Sequence, residues 1–274
     1  MNFYLLGYPV GHSVSPAMQN AAFREEGLPH KYSSLEVRPN KLAEIMKTRI
    51  RVADFGGASV TIPNKIEIIK YLDELAQTAQ TAGAVNTLEY REGVLTGHNT
   101  DAVGGIRALT EVYGNLSKAK VVLIGAGGAA NALATELAPK VKKLMILNRS
   151  IEKAQRLSER LGDNTEYDSI LNQTCIEYSD IVINATPLGM SPKINESPVI
   201  PKYLHPNLLV YDIIYNPLKT KLMSDAEKIG AKILGGLWML VYQGLEAFKI
   251  WTGIEPRAQT MYDAALGALE AMRH

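Results

Sequence analysis

Cysteine is almost missing from this chain. Cys175 is the only one in 274 residues, which excludes an internal disulfide framework and any cysteine-rich metal site. An excess of either charge is missing too, since 29 Lys+Arg stand against 28 Asp+Glu for a net charge of +1. Without a basic surplus there is no drive to neutralise the phosphates of a nucleic acid, and no polybasic tail suggests a membrane surface. No apolar run approaches the ~18–20 residues needed to span a bilayer. The five histidines, His12, His30, His98, His205 and His274, lack metal-ligand spacing, so no metal is expected. The opening run, residues 1–7, has no basic segment and reads as a strand rather than a targeting sequence. A cytoplasmic globular protein is the working class. Oligomeric state is left open, with a homodimer as the candidate assembly.

Apolar residues make up 46% and charged residues 21%, enough to bury a core and against wholesale disorder. At roughly 150 residues per domain, the length fits one large domain or two modest ones. Strands are predicted at 3–6, 32–37 and 55–62, and helices at 15–26, 41–50 and 66–81, with Pro16 in the first turn of the earliest. Runs at 84–90 and 94–98 flank Arg91-Glu92-Gly93, a hairpin signal. Further on, helices are predicted at 101–113, 129–137, 151–161 and 220–229, and strands at 120–124, 143–147, 180–184, 208–212 and 231–234. Closing helices follow at 237–252 and 257–272, where Trp238 and Trp251 are expected to pack. Strands alternating with helices imply an α/β fold of βαβ units with a parallel sheet.

Gly125, Ala126, Gly127, Gly128, Ala129 and Ala130 follow the strand at 120–124 and open the next helix, fitting G-x-G-x-x-A. Gly125 permits the tight turn, Gly127 lets the backbone approach a pyrophosphate, and Ala130 keeps helix and sheet close. The helix N-terminus then offers free N–H groups and the positive end of its dipole. The following strand ends at Asn148, Arg149 and Ser150, with no acidic residue there to hold a ribose 2′-hydroxyl. Arg149 and Ser150 instead offer a cation and a hydroxyl to a 2′-phosphate, favouring NADP over NAD. The plain alternative for Arg149 is a surface charge.

In the amino-terminal half, Ser13 and Ser15 stand at a strand-to-helix junction. Their hydroxyls suit an anion such as a carboxylate, although Ser15 is as readily an N-cap before Pro16. Thr61 and Lys65 fall at the end of another strand. A lysine in a cleft can stabilise oxyanion charge or relay a proton, but a lone lysine is more often solvated. Asp101 reads equally as an N-cap or a catalytic carboxylate. Cys175 has no activating partner in sequence and is expected to be inert.

In order along the chain stand HSVSP (12–16), VTIPNK (60–65), AGAVNTL (82–88), NTDAVG (99–104), GAGGAA (125–130) and NRS (148–150). INATPLGM (183–190), YNP with Thr220 (215–217) and GGLWMLVYQG (235–244) complete the series. This ordered set closely resembles the shikimate dehydrogenase family over almost the whole chain. The resemblance implies reversible, NADP-dependent reduction of 3-dehydroshikimate to shikimate, in aromatic amino-acid biosynthesis. It implies two domains with the active site in the intervening cleft: residues 1–100 plus 237–274 for substrate, and residues 101–236 as a Rossmann-type, doubly wound NADP-binding domain. Lys65 and Asp101 match the catalytic pair, and their mutual charge favours the ammonium and the carboxylate. Ser13 and Ser15 match the substrate carboxylate, Thr61, Asn86 and Gln243 the ring hydroxyls, and Tyr215 a further substrate position. Gly125–Ala130 and Asn148–Ser150 match the cofactor site. Thr186, Met190, Ile213, Gly236 and Met239 would lie near the ribose or nicotinamide.

Four positions depart from the family pattern. Ser59 replaces a usual Asn, Gln19 a usual His, Asn64 a His or Phe, and Tyr242 a frequent His. Ser59 in particular bears on support for the loop carrying Lys65. Two alternatives are carried forward: a shikimate/quinate dehydrogenase with broader substrate or cofactor use, and a noncatalytic NADP-binding sensor. Retention of both Lys65 and Asp101 speaks against the sensor.

Overall fold

Two six-stranded sheets form, each in its own compact unit. The structure is a computed structural model that describes residues 1–272, so His274 lies outside the described residues. One unit comprises residues 1–104 together with the chain from Val241 onward, and the other residues 105–240.

The first unit opens with β1 (Asn2–Gly7), α1 (Ser15–Glu25) and β2 (Lys31–Glu36), the strands pairing in parallel. A turn of 3₁₀ helix leads into α2 (Leu42–Ile45), which widens into a π-helical turn at Met46–Ile50. Then come β3 (Phe55–Val60), β4 (Glu74–Leu75), α3 (Gln77–Ala82) and the hairpin β5 (Thr87–Arg91) and β6 (Val94–His98). The sheet order is β2-β1-β3-β5-β6-β4, with β5 antiparallel to both neighbours. The continuous helix expected at 66–81 does not form. The Asp73 amide donates to the Leu95 carbonyl, its carboxylate accepts from the Leu95 amide and takes the Arg51 guanidinium at 2.9 Å, and this pairing breaks the segment into a 3₁₀ turn, a short strand and α3.

The chain enters the second unit within α4 (Asp101–Tyr113). Next come β7 (Lys120–Ile124), α5 (Gly128–Leu137), β8 (Lys143–Asn148), α6 (Ile151–Leu161) and β9 (Thr165–Ser169). The unit ends with β10 (Ile181–Asn184), β11 (Leu209–Asp212), α7 (Lys221–Lys228) and β12 (Lys232–Gly235). All strands of its sheet run parallel in the order β12-β11-β10-β7-β8-β9. The order reverses between β7 and β10, the switch point where doubly wound sheets bind ligands. The interior of β7 and all of β10 are buried, hence the apolar runs Val121–Ile124 and Ile181–Ile183. No apolar pattern marks β9, because this polar edge strand buries only Thr165.

The chain returns to the first unit within α8 (Gly236–Thr252) and closes with α9 (Ala258–Ala271), which packs along α1. The division thus falls four residues later at each crossing than the sequence suggested. The first turn of α4 stays with the first unit because Asp101 is bonded there and Gly104 abuts Gln243. At the return, Gly236 lies against Ile213 and Met239 beside Gly105, so the start of α8 belongs to the second unit.

Candidate active site

Lys65 sits on a turn that the backbone pins at both ends. After β3, the Thr61 amide donates to the Leu6 carbonyl at 2.8 Å, and the Asn64 amide to Thr61 at 3.0 Å. The Val85 amide then donates to the Lys65 carbonyl at 2.8 Å. Asn64 is wholly buried, and its Nδ2 donates to the Val37 carbonyl at 2.7 Å. This departure from the family pattern therefore supports the lysine loop from beneath.

Lys65 Nζ lies 2.5 Å from Asp101 Oδ2, and both side chains are about a quarter exposed, at 27% and 26%. Asn86 Nδ2 donates to the other oxygen, Oδ1, at 2.9 Å. Asp101 opens α4, yet both its oxygens face these partners, and its amide donates to Asn99 Oδ1 at 3.1 Å. Asn86 is itself locked: its Oδ1 accepts from the Thr100 amide at 2.8 Å and the Thr87 hydroxyl at 2.9 Å. With Asn86 only 2% exposed, any contact to a substrate hydroxyl must share donors already committed to Asp101 and Thr100. Thr87, Asn99 and Thr100 are supporting residues that the sequence shows as polar groups at strand ends but assigns no role. Their signal was a run of short polar side chains at two strand ends.

Ser13, Ser15, Thr61 and Gln243 belong to the same unit. Ser15 is the first residue of α1, whose N-cap is Val14, so its hydroxyl makes no capping bond. Ser13 Oγ instead accepts from the Ser15 amide at 3.2 Å. A β-carbon at Gly104 would fall 2.4 Å from the Gln243 amide nitrogen, so α8 brings Gln243 against the turn that Asp101 opens. Gln19, another departure from the pattern, donates from Nε2 to the Gly244 carbonyl at 2.8 Å and ties α1 to α8 there. Tyr215 lies in the second unit, half-buried after β11, where burial raises its phenol pKa.

In the second unit, the glycine-rich turn stands at the switch point of the sheet. Gly125 has φ +119°, and a β-carbon there would lie 2.9 Å from the Ala185 carbonyl oxygen. Over Gly127 and Gly128 the space is open, with no atom within 4 Å of either ideal β-carbon. No side chain caps α5, and Gly127 occupies the N-cap. Exposed backbone amides beneath a space without side chains fit a dinucleotide pyrophosphate. Asn131, absent from the sequence-based set, donates to the Ala126 carbonyl at 3.0 Å and to Gly127 at 2.9 Å, fixing the turn. Gly236 meets Ile213 so closely that a β-carbon would fall 2.0 Å from the Ile213 carbonyl oxygen. Thr186 and Ile213 are half-buried beyond β10 and β11, and Met190 is exposed. At the end of β8, Arg149 is exposed, while the Ser150 hydroxyl donates to Glu152 Oε2 at 2.7 Å.

Cys175 stands apart from these groups. Burial pushes its thiol up to about 11. A raised pKa keeps it protonated near neutrality, and thiolate appears only as pH approaches that value. Alkylation by iodoacetamide at pH 7.5 is expected to run on the order of 10²-fold slower than for free cysteine and to accelerate through pH 9–10. A free-cysteine rate at pH 7.5 contradicts this burial.

A lysine–carboxylate pair in one α/β unit and a dinucleotide cradle at the switch point of the other are the make-up of a nicotinamide-dependent oxidoreductase. A family model described as the shikimate dehydrogenase substrate binding domain matches residues 5–88. Models for shikimate / quinate 5-dehydrogenase and for the shikimate 5′-dehydrogenase C-terminal domain match residues 107–210 and 236–266. The chain is 42% identical over 271 residues to the shikimate dehydrogenase (NADP(+)) of Methanocaldococcus jannaschii, covering 96% of this chain and 95% of that protein. It also matches a solved shikimate dehydrogenase in complex with NADP+, with TM-score 0.91, 42% identity, and 98% and 95% of the two chains covered. The shikimate 5-dehydrogenase of Listeria monocytogenes, solved with shikimate and NAD, matches with TM-score 0.88 and 36% identity over 96% of this chain and 95% of that one. The chain belongs to the shikimate dehydrogenase family.

Proposed function

We propose that this protein catalyses the reversible, NADPH-dependent reduction of 3-dehydroshikimate to shikimate. The observation that carries the reading is the Lys65–Asp101 pair at 2.5 Å, braced by Asn86 in the unit matched by the substrate-binding model. When bound, NADPH supplies the hydride for the carbonyl carbon. The chain's residues manage orientation and charge. Lys65 hydrogen-bonds the carbonyl oxygen, stabilises it as it gains negative charge, and gives it a proton. In the reverse direction the same nitrogen takes the hydroxyl proton. Asp101 fixes Lys65 and accepts from the neighbouring substrate hydroxyl. Ser13 and Ser15, at the positive end of α1, take the substrate carboxylate, with Thr61, Asn86, Gln243 and Tyr215 completing the substrate contacts. The turn 125–130, together with Asn148, Arg149 and Ser150, holds the cofactor phosphates. Thr186, Met190, Ile213, Gly236 and Met239 lie near its ribose or nicotinamide. For its compartment we propose the cytoplasm. NADPH oxidation followed by fluorescence with 3-dehydroshikimate, 3-dehydroquinate and no substrate tests the reading. Turnover is expected with the first, and turnover of neither substrate would overturn it.

One observation favours a second reading, broader cofactor use. The hydroxyl assigned to a 2′-phosphate is held by Glu152, an anion that repels that phosphate and suits a ribose 2′-hydroxyl. Glu152→Gln is expected to tighten NADP+ binding by about two- to fivefold at low salt, the scale of an exposed charge interaction, and to weaken NAD+ binding. Fluorescence titration checks this, and an unchanged ratio of the two affinities would remove Glu152 from cofactor selection.

A further inference from the structure

Asn184, Asp212 and Thr220 are side chains to which no role has so far been attached. Asp212, the last residue of β11, is 0% exposed and takes four hydrogen bonds. Asn184 Nδ2 donates to both of its oxygens, at 3.1 and 3.2 Å. The Ile214 amide donates to Oδ1 at 3.1 Å, and the Thr220 hydroxyl to Oδ2 at 2.7 Å. Thr220 Oγ1 itself accepts from the Met223 amide, so its proton points to the carboxylate. Every partner of Asp212 is a donor, the surroundings an ionised carboxylate requires. Burial raises the carboxyl above its ordinary range, and the bonds from Thr220, Ile214 and Asn184 offset that only in part.

The network extends into the loop after β10. Asn184 Oδ1 accepts from both the amide and the hydroxyl of Thr186, at 2.9 and 2.7 Å, and the Thr186 hydroxyl accepts from the Leu188 amide at 3.2 Å. Gly189, with φ +103°, lies so close to Thr220 that a β-carbon on it would fall 3.2 Å from the Thr220 β-carbon. One buried anion therefore gathers two loops, the one carrying Thr186 and Met190 and the one that begins at Ile213.

We propose that Asp212 is a positioning residue for hydride transfer, acting with Asn184 and Thr220 as a latch that fixes the loops against the nicotinamide end of the cofactor. The proposal rests on the NADP-dependent reading above. It assigns the latch to one end of the cofactor site only, because the turn 125–130 and residues 148–150 share no bond with it.

The test uses Thr220→Val, which keeps shape and deletes the donor, with Thr220→Ser as the rescue and Asp212→Asn as a second probe. In Thr220→Val, kcat is expected to fall by about tenfold with a larger primary deuterium isotope effect from 4-deuterated NADPH, since small misplacements of reacting atoms are costly. Binding of adenosine 2′,5′-bisphosphate, which lacks the nicotinamide, is expected to stay within about twofold of the parent, and Thr220→Ser is expected to recover most of kcat. Unchanged kcat and isotope effect in Thr220→Val overturn the latch. Equal losses of kcat and bisphosphate affinity, following the melting temperature, also overturn it by reducing the network to scaffolding. If Asp212→Asn fails to fold, the threonine pair decides. A parent protein that binds neither NADPH nor the bisphosphate instead refutes the cofactor reading itself.

Discussion

Replacement of Lys65 by alanine is expected to lower kcat for 3-dehydroshikimate reduction by about 10²–10⁴-fold, the usual contribution of a positioned proton donor. Stability should change little, because the ion pair with Asp101 is about a quarter exposed and such pairs are worth roughly 0–1 kcal/mol. Asp101 keeps its bond from Asn86, so the carboxylate is not abandoned. Binding of NADPH should survive, since the proposed cofactor residues all lie in the unit formed by residues 105–240. Lys65→Arg is expected to rescue poorly, because a planar guanidinium does not replace a compact ammonium at the same point. The checks are steady-state kinetics, a melting curve and a NADPH titration on the same preparation. Near-parental kcat in Lys65→Ala would remove this residue from proton transfer.

The second large effect is expected at Gly125. At φ +119° the backbone occupies a region that other residues enter at a cost of about 1–3 kcal/mol. In addition, an added β-carbon would meet the Ala185 carbonyl at 2.9 Å, and overpacking of this kind costs about 1–3 kcal/mol more. Gly125→Ala is therefore expected to depress the melting temperature by several degrees and to abolish measurable NADPH binding, because the turn and the start of α5 shift together. Gly127→Ala, where nothing lies within 4 Å, separates the two effects. It should leave stability near the parental value while weakening NADPH through intrusion on the phosphate space. Parental stability and affinity in Gly125→Ala would contradict the turn geometry.

Much of this was legible in the sequence because its signals are local. β7 and β10 announce themselves by the apolar runs at 121–124 and 181–183, since both faces of a parallel strand are covered. The glycine turn is legible because a tight turn into a helix leaves few residue choices. Lys65 and Asp101 were visible as residue types, but 36 positions separate them, and nothing local pairs them. The short strand β4 and the edge strand β9 were missed because tertiary pairing overrode weak patterns.

The α/β class, the glycine-rich turn and, through the ordered motifs, the family are all readable along the chain. Those features depend on backbone sterics and on spacing along the chain. Which side chains meet depends on the folded chain. It placed Asp101 against Lys65, committed the Asn86 amide to Asp101, gave the Ser150 hydroxyl to Glu152, and gathered Asn184 and Thr220 on Asp212. The Lys65–Asp101, Asn86–Asp101 and Asn184–Asp212 bonds join residues 36, 15 and 28 positions apart. Their partners are set by sheet order and burial, because a buried donor or acceptor must be satisfied by whatever group the fold brings beside it.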